Sequence, residues 1–186
     1  MMRHASLFVV LTVIACGSRE PARESIQLAS LRFDMPSDWK RADMNVVPVL
    51  AKNTPPALRG IATAQWTPED NNRRESITVT RSERSPAVAR AGVSTLEQLL
   101  AHAQRSLRAV RASKPTALKT ARGLVGVRIE VDFTPPGTSE RYHRVHVVLA
   151  DDKNGALIHV FYTARHPDRE LTTLSMVLDT IRNEEG

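Results

Sequence analysis

The sequence predicts an α+β protein, in which antiparallel strands are accompanied by amphipathic helices, and three stretches carry that expectation. In the first, Val125, Val127, Ile129, Val131 and Phe133 alternate with Gly126, Arg128, Glu130 and Asp132, the period of a strand with one apolar side. In the second, the apolar runs 142–150 (YHRVHVVLA) and 156–164 (ALIHVFYTA) flank Asp151-Asp152-Lys153-Asn154-Gly155, a turn composition that reads as a hairpin. In the third, Leu96, Leu99, Leu100, Ala103, Leu107 and Val110 recur at helical spacing behind Ser94 and Glu97, whose separation is that of a capping box. With 186 residues, 41% hydrophobic and 25% charged, the chain has the size and composition of one folded domain with a targeting segment.

Taken in order, the mature chain opens with Ile26, Leu28, Leu31 and Phe33, read as one strand closed by a turn at Met35-Pro36-Ser37-Asp38-Trp39. Residues 42–59 contain Pro48, Pro55 and Pro56, which cannot donate ladder hydrogen bonds, and are read as loop around a short edge segment. Residues 61–66 and 76–81 (SITVTR) form an antiparallel pair joined by the polar stretch 68–74. The helix after the 82–92 loop runs to Lys114-Pro115, with Arg105, Arg108 and Arg111 off its apolar stripe as a solvated face. Pro135-Pro136-Gly137 is a turn between the long strands. A last helix starts at His166-Pro167-Asp168, shares Leu171, Leu174, Leu178 and Ile181 on one face, and ends near Arg182.

The amino terminus reads as an address. Arg3 and His4 precede the apolar run 7–15 (LFVVLTVIA), which is too short to span a bilayer and is followed at once by polar residues, the layout of a secretory signal. Val13, Ile14 and Ala15 directly before Cys16 resemble the lipobox of bacterial lipoproteins: a branched apolar residue, a tolerant position, a small residue, then cysteine. That resemblance implies a signal peptide over 1–15, cleavage before Cys16, acylation of its thiol and of the new amino terminus (palmitate among the acyl chains), and stable anchoring, because each buried methylene contributes about 0.8 kcal/mol. Residues 16–25 are then the lipidated cysteine and a flexible spacer. Gly17 in place of aspartate resembles outer-membrane sorting, so the expected place is the cell envelope, on the outer membrane facing the periplasm rather than the inner membrane. Cys16 is the one cysteine, so no internal disulfide supports the fold.

The order of elements, with Met35 to Trp39 (MPSDW), Gly123 to Gly126 (GLVG) and Leu178 to Arg182 (LDTIR), resembles the PsbP-like family. That family includes an extrinsic subunit of photosystem II, a nuclear-import factor that binds a small GTPase, and bacterial lipoproteins of the DcrB kind. The resemblance covers Leu28 to Arg182 and implies a PsbP-like domain over 26–186, an antiparallel sheet flanked by helices in an α/β/α sandwich. It also implies accessory or binding roles with no transferable active site.

Chemistry-bearing residues are sparse. Pairing Ala150 with Gly155 would set His146 opposite His159, two imidazoles on one face. A transition-metal site needs a third ligand, and parity puts His143 on the other face, so no metal is assigned and His146 and His159 stand only as candidates. Glu130 and Asp132 share a face and are read as solvent-facing charges balanced by Arg128 and Arg144. No nucleophile elbow or zinc-protease motif is present in the sequence, so the chain is expected to be no enzyme and to need no cofactor. The net charge is +6, yet no basic run is interleaved with stacking aromatics, so nucleic acid is not an expected partner. The expected partners are the membrane, through the anchor, and another envelope protein. Alternative readings are a module for a small ligand or lipid headgroup, and a metal-binding periplasmic protein.

Overall fold

The computed structural model describes residues 22–42, 62–70, 74–83, 101, 105, 107–151, 156–165 and 171–184. Among the described residues the continuous elements are eleven strands and one short helix: β1 Arg23–Leu28, β2 Leu31–Pro36, β3 Trp39–Arg41, β4 Ala62–Pro68, β5 Ser76–Glu83, β6 Arg108–Ala112, β7 Thr116–Lys119, β8 Val125–Thr134, β9 Tyr142–Asp151, β10 Ala156–Arg165, α1 Thr172–Thr180 and β11 Arg182–Asn183. The strands form an eight-stranded sheet in the order β3-β4-β5-β10-β9-β8-β6, with β7 also on β8, and a three-stranded sheet in the order β1-β2-β11. Every pairing is antiparallel.

This corrects the expected fold class. The described residues form a β-rich protein and not a sheet flanked by helices, and what packs on the large sheet beside α1 is a second, smaller sheet. Two local readings failed for identifiable reasons. The stretch from Ile26 to Phe33 is a hairpin and not one strand: Leu28 pairs with Leu31 across a turn in which Ala29 takes a positive φ of 53°. Alanine is a poor marker of that conformation, because its Cβ disfavours it. The predicted helix through Val110 stops short, because Arg108–Ala112 is a strand on the edge of β8. Leu107 and Val110 match a helical spacing, but both pack against the sheet from an extended segment broken by a bulge at Ala109, φ 48°. Ala101 and Arg105 are helical positions. The capping box at Ser94 and Glu97, the loops 43–59 and 84–92, the turn 152–155 and the helix start at 166–168 lie outside the described residues, as do residues 1–21.

Other expectations hold. The pair β4 and β5 is antiparallel, Trp66 facing Ile77 and Ala64 facing Val79. The three long strands lie side by side as β8, β9 and β10. Pro135 accepts a turn bond from the Thr138 amide at 3.4 Å, with Gly137 at φ 80°. β1 starts at Arg23, inside the stretch read as spacer.

The pleat gives the large sheet two unlike faces. One carries Trp66, Ile77, Val79, Val145, Val147, Leu149, Ile158, Val160, Tyr162 and Ala164, all buried. It packs against Leu31, Phe33 and Met35 of β2 and Leu174, Val177 and Leu178 of α1 to form the main core. Phe33 meets Trp66 edge to face at 5.4 Å, and the Asp34 amide donates to Thr180 Oγ1 at 2.8 Å, tying α1 to β2. The opposite face holds a smaller cluster, Ile129, Val131, Phe133, Val148 and Leu157, with Leu107 and Val110 against it.

Gly126 shows how tightly β8 and β9 meet. A Cβ there would run into the backbone carbonyl oxygen of Val148, whereas one on Gly137 would meet nothing within 4 Å. Gly126→Ala should therefore cost about 1–3 kcal/mol or more, against about 1–2 kcal/mol at Gly137, where only the positive φ is strained. Urea unfolding of the two variants checks this; a smaller loss at Gly126 than at Gly137 contradicts it.

Candidate functional site

The concentration of buried polar chemistry lies on the second face, where β5, β10 and β9 run side by side. Odd-numbered residues of β10 point there, and so do the even-numbered residues of β9 and β5 that share its register. The face carries Thr80 and Ser82 from β5, His159, Phe161 and Thr163 from β10, and Arg144 and His146 from β9. His146 and His159 are 7% and 6% exposed, so neither ring has bulk water to satisfy it.

The structure brings the two histidines together, but not as direct partners. Phe161 stands opposite His146, and His159 stands opposite Val148. The hairpin is offset by one pair from the expected register, which preserves the face and makes the imidazoles diagonal neighbours. Their rings stack at 5.5 Å with 10° between planes, and His146 Nδ1 lies 3.3 Å from His159 Nε2. Phe161 covers both, at 5.8 Å and 5.6 Å.

That contact is a hydrogen bond only if one nitrogen carries a proton and the other a lone pair. Burial and charge keep both rings neutral, so each has one protonated nitrogen and one lone-pair nitrogen to offer. Burial pushes His146 well below its usual 6.5, with His159 and Arg144 adding to the effect. Burial, then Arg144, pushes His159 down to about 4. Both imidazoles are neutral at neutral pH.

Arg144 is the residue that sequence reasoning misplaced. It does not balance Glu130 and Asp132, because it lies on the opposite face. Its Nε donates to Thr163 Oγ1 at 2.9 Å, and its guanidinium sits 4.8 Å over Phe133 and 5.6 Å from the Phe161 ring. Among the described residues no carboxylate pairs with it, and burial lowers it to about 10. Aromatic faces stand where a counter-ion would be. A signal was available: Arg144 shares parity with His146, and parity places it away from Asp132.

The acids sit across the sheet. Arg128 Nη2 reaches Glu130 at 2.7 Å, and His143 bridges Asp132 at 2.8 Å and Glu130 at 3.4 Å. His143 is thus on the face opposite His146, as parity requires. Among the described residues no group of three His, Cys, Asp or Glu could hold a metal ion, so His146 and His159 have two nitrogens to offer and no third ligand. Cys16 and the motif Val13, Ile14, Ala15 lie outside the described residues.

What these faces define is an antiparallel double-sheet protein in which His146 is paired with His159 and Arg144 with Thr163 on the second face. The chain belongs to the family described as a domain of unknown function, DUF8017, whose model matches residues 25–186. No curated protein matches the chain. Among solved structures it is similar to the Ran-binding protein Mog1p of Saccharomyces cerevisiae, with a TM-score of 0.54 and 10% identity over 88% of this chain and 96% of that one. A mutant form of Mog1 gives a TM-score of 0.52 at 10% identity, covering 87% and 96%. LpqN, involved in cell envelope biogenesis of Mycobacterium tuberculosis, gives a TM-score of 0.45 at 15% identity, covering 89% and 87%. The Mog1p comparison shows a shared fold.

The histidine pair makes stability depend on acid. In the unfolded chain both imidazoles protonate near 6.5, while in the fold His159 resists to about 4 and His146 also stays below 6.5. The unfolded state therefore binds more protons in between, and stability, fully present above the unfolded value, falls as pH drops through that window. The share due to His159 is on the order of 3 kcal/mol. Urea midpoints should fall between about pH 7 and about pH 4.5, and the slope should flatten in a His146→Gln, His159→Gln chain. An unaltered slope in that variant contradicts the assignment.

Proposed function

We propose that this chain is an exported, lipid-anchored protein of the bacterial cell envelope, and that its folded domain is a non-enzymatic module that binds another envelope protein or assists a membrane complex. The observation that carries the reading is the Val13-Ile14-Ala15-Cys16 motif at the end of a short apolar run, seven residues before β1 begins at Arg23. Seven residues reach at most roughly 25 Å, so an acylated Cys16 would hold the first sheet close to the bilayer.

The accessory role is supported by the way the buried polar groups are used. The histidine pair is closed on itself, Arg144 is held by Thr163 and two aromatic rings, and Tyr162 donates to Glu75 at 3.1 Å inside the core. A shared fold with a Ran-binding protein adds that such a double sheet can serve as a protein-binding surface. On this reading the domain fills an accessory role of the kind the PsbP-like family fills.

Cells fed labelled palmitate should label the chain, and Cys16→Ser should abolish both the label and its recovery with membranes. Crosslinking in intact cells should then join the wild-type domain to a discrete envelope protein. An unlabelled wild-type chain, or a mature product beginning well beyond Cys16, contradicts the anchor. A crosslink pattern identical to that of an unrelated domain on the same lipidated leader contradicts the binding role.

A further inference from the structure

The net charge of the chain is localised. Between residues 105 and 134 stand seven Lys or Arg against Glu130 and Asp132, so +5 of the overall +6 falls in this segment. The fold lays it along one margin of the large sheet. β7 and then β6 pair with β8 from end to end, and β6 is the outermost strand there.

Arg105, Arg108, Arg111, Lys114, Lys119 and Arg122 are all exposed, and among the described residues no carboxylate pairs with any of them. Elsewhere several surface cations are matched: Arg32 and Arg182 share Glu184, Lys40 reaches Glu69, and Arg165 reaches Glu140, while Arg41 and Arg141 stand singly and apart from this margin. The bulge concentrates the charge further. Residues three apart on a regular strand face opposite ways, yet Arg108 pairs with Thr134 and Arg111 with Asp132, positions two apart on β8. The extra residue at Ala109 turns both arginines to one side.

At the other end of this margin stands Val125, 47% exposed and the one large hydrophobic side chain exposed among the described residues. It pairs with Lys119, and Arg122 lies in the adjoining turn. Unpaired cations around an exposed apolar tip suit a surface that offers phosphates outside and hydrocarbon beneath. A nucleic acid would call for stacking aromatics, and residues 105–128 contain none.

We propose that the β6–β7 margin, from Arg108 to Val125, docks the domain on an anionic phospholipid surface, with its cations on headgroup phosphates and Val125 in the interfacial layer. The contact does not rest on the lipid anchor, and it would orient a tethered domain.

The test uses the full chain carrying Cys16→Ser, so that no acyl chain contributes, and compares vesicles of phosphatidylcholine with vesicles of mixed phosphatidylglycerol and phosphatidylcholine. Any contribution of the apolar segment 7–15 is common to both and cancels in the ratio. The ratio should favour the anionic vesicles at least about tenfold at low salt and collapse at high salt. Replacing Arg108, Arg111, Lys119 and Arg122 by Gln should abolish it. Lys119→Gln and Arg122→Gln taken singly lie outside the β6 ladder and should each lower it about fivefold, with unchanged melting. Lys40→Gln should leave it as it was. Equal binding to both vesicles, an undiminished ratio in the single and fourfold variants, or tighter binding to duplex DNA than to the anionic vesicles would overturn the proposal.

Discussion

The structure turns on β10, a strand hydrogen-bonded on both edges and covered on both faces. Between β5 and β9 it has no free ladder, and nine-tenths of its ten residues are buried or half-buried. Ile158, Val160, Tyr162 and Ala164 feed the main core, while Leu157, His159, Phe161 and Thr163 line the second face. With bulk water on neither side, every polar atom the sequence places there must find a protein partner or remain unsatisfied. The pairing of His146 with His159, of Arg144 with Thr163 and of Ser82 Oγ with the Leu157 carbonyl follows from that constraint.

The same constraint sorts the charges. The described core admits few: Arg144 lies under two aromatic rings, and Glu75 receives the Tyr162 hydroxyl. Most other cations are displaced to the periphery, where the β6 and β7 margin takes the largest share. Charge on an outer strand also discourages another chain from adding to the sheet. The bulge at Ala109 interrupts the ladder at the same place. One margin can thus be protected against self-association and still be attractive to an anionic surface.

Much of the fold was legible because the pleat leaves a simple trace. Strict alternation in β8, continuous apolar runs in β9 and β10, and the Leu174 to Ile181 spacing in α1 each name a buried side directly. Parity alone put His146 and His159 on one face and His143 on the other. The losses came where backbone conformation overrides residue type. Ala29 and Ala109 adopt positive φ without a glycine to announce it, so a hairpin read as one strand and an edge strand read as the end of a helix. The register of β9 on β10 depends on turn residues, and a shift of one pair changed the partner of His146 from His159 to Phe161. Arg144 was misassigned through a charge count that ignored which side of the strand it occupies.

The central claim is that the second face is dry enough to keep the two imidazoles neutral and hydrogen-bonded to each other. Nitrogen-detected NMR of the imidazole rings across an acid titration reads this directly. Each ring should show one protonated and one unprotonated nitrogen at neutral pH, and His159 should hold that pattern until about pH 4. Rings that titrate together near 6.5, or that exchange freely between tautomers, would show a wet, unpaired site and contradict the account.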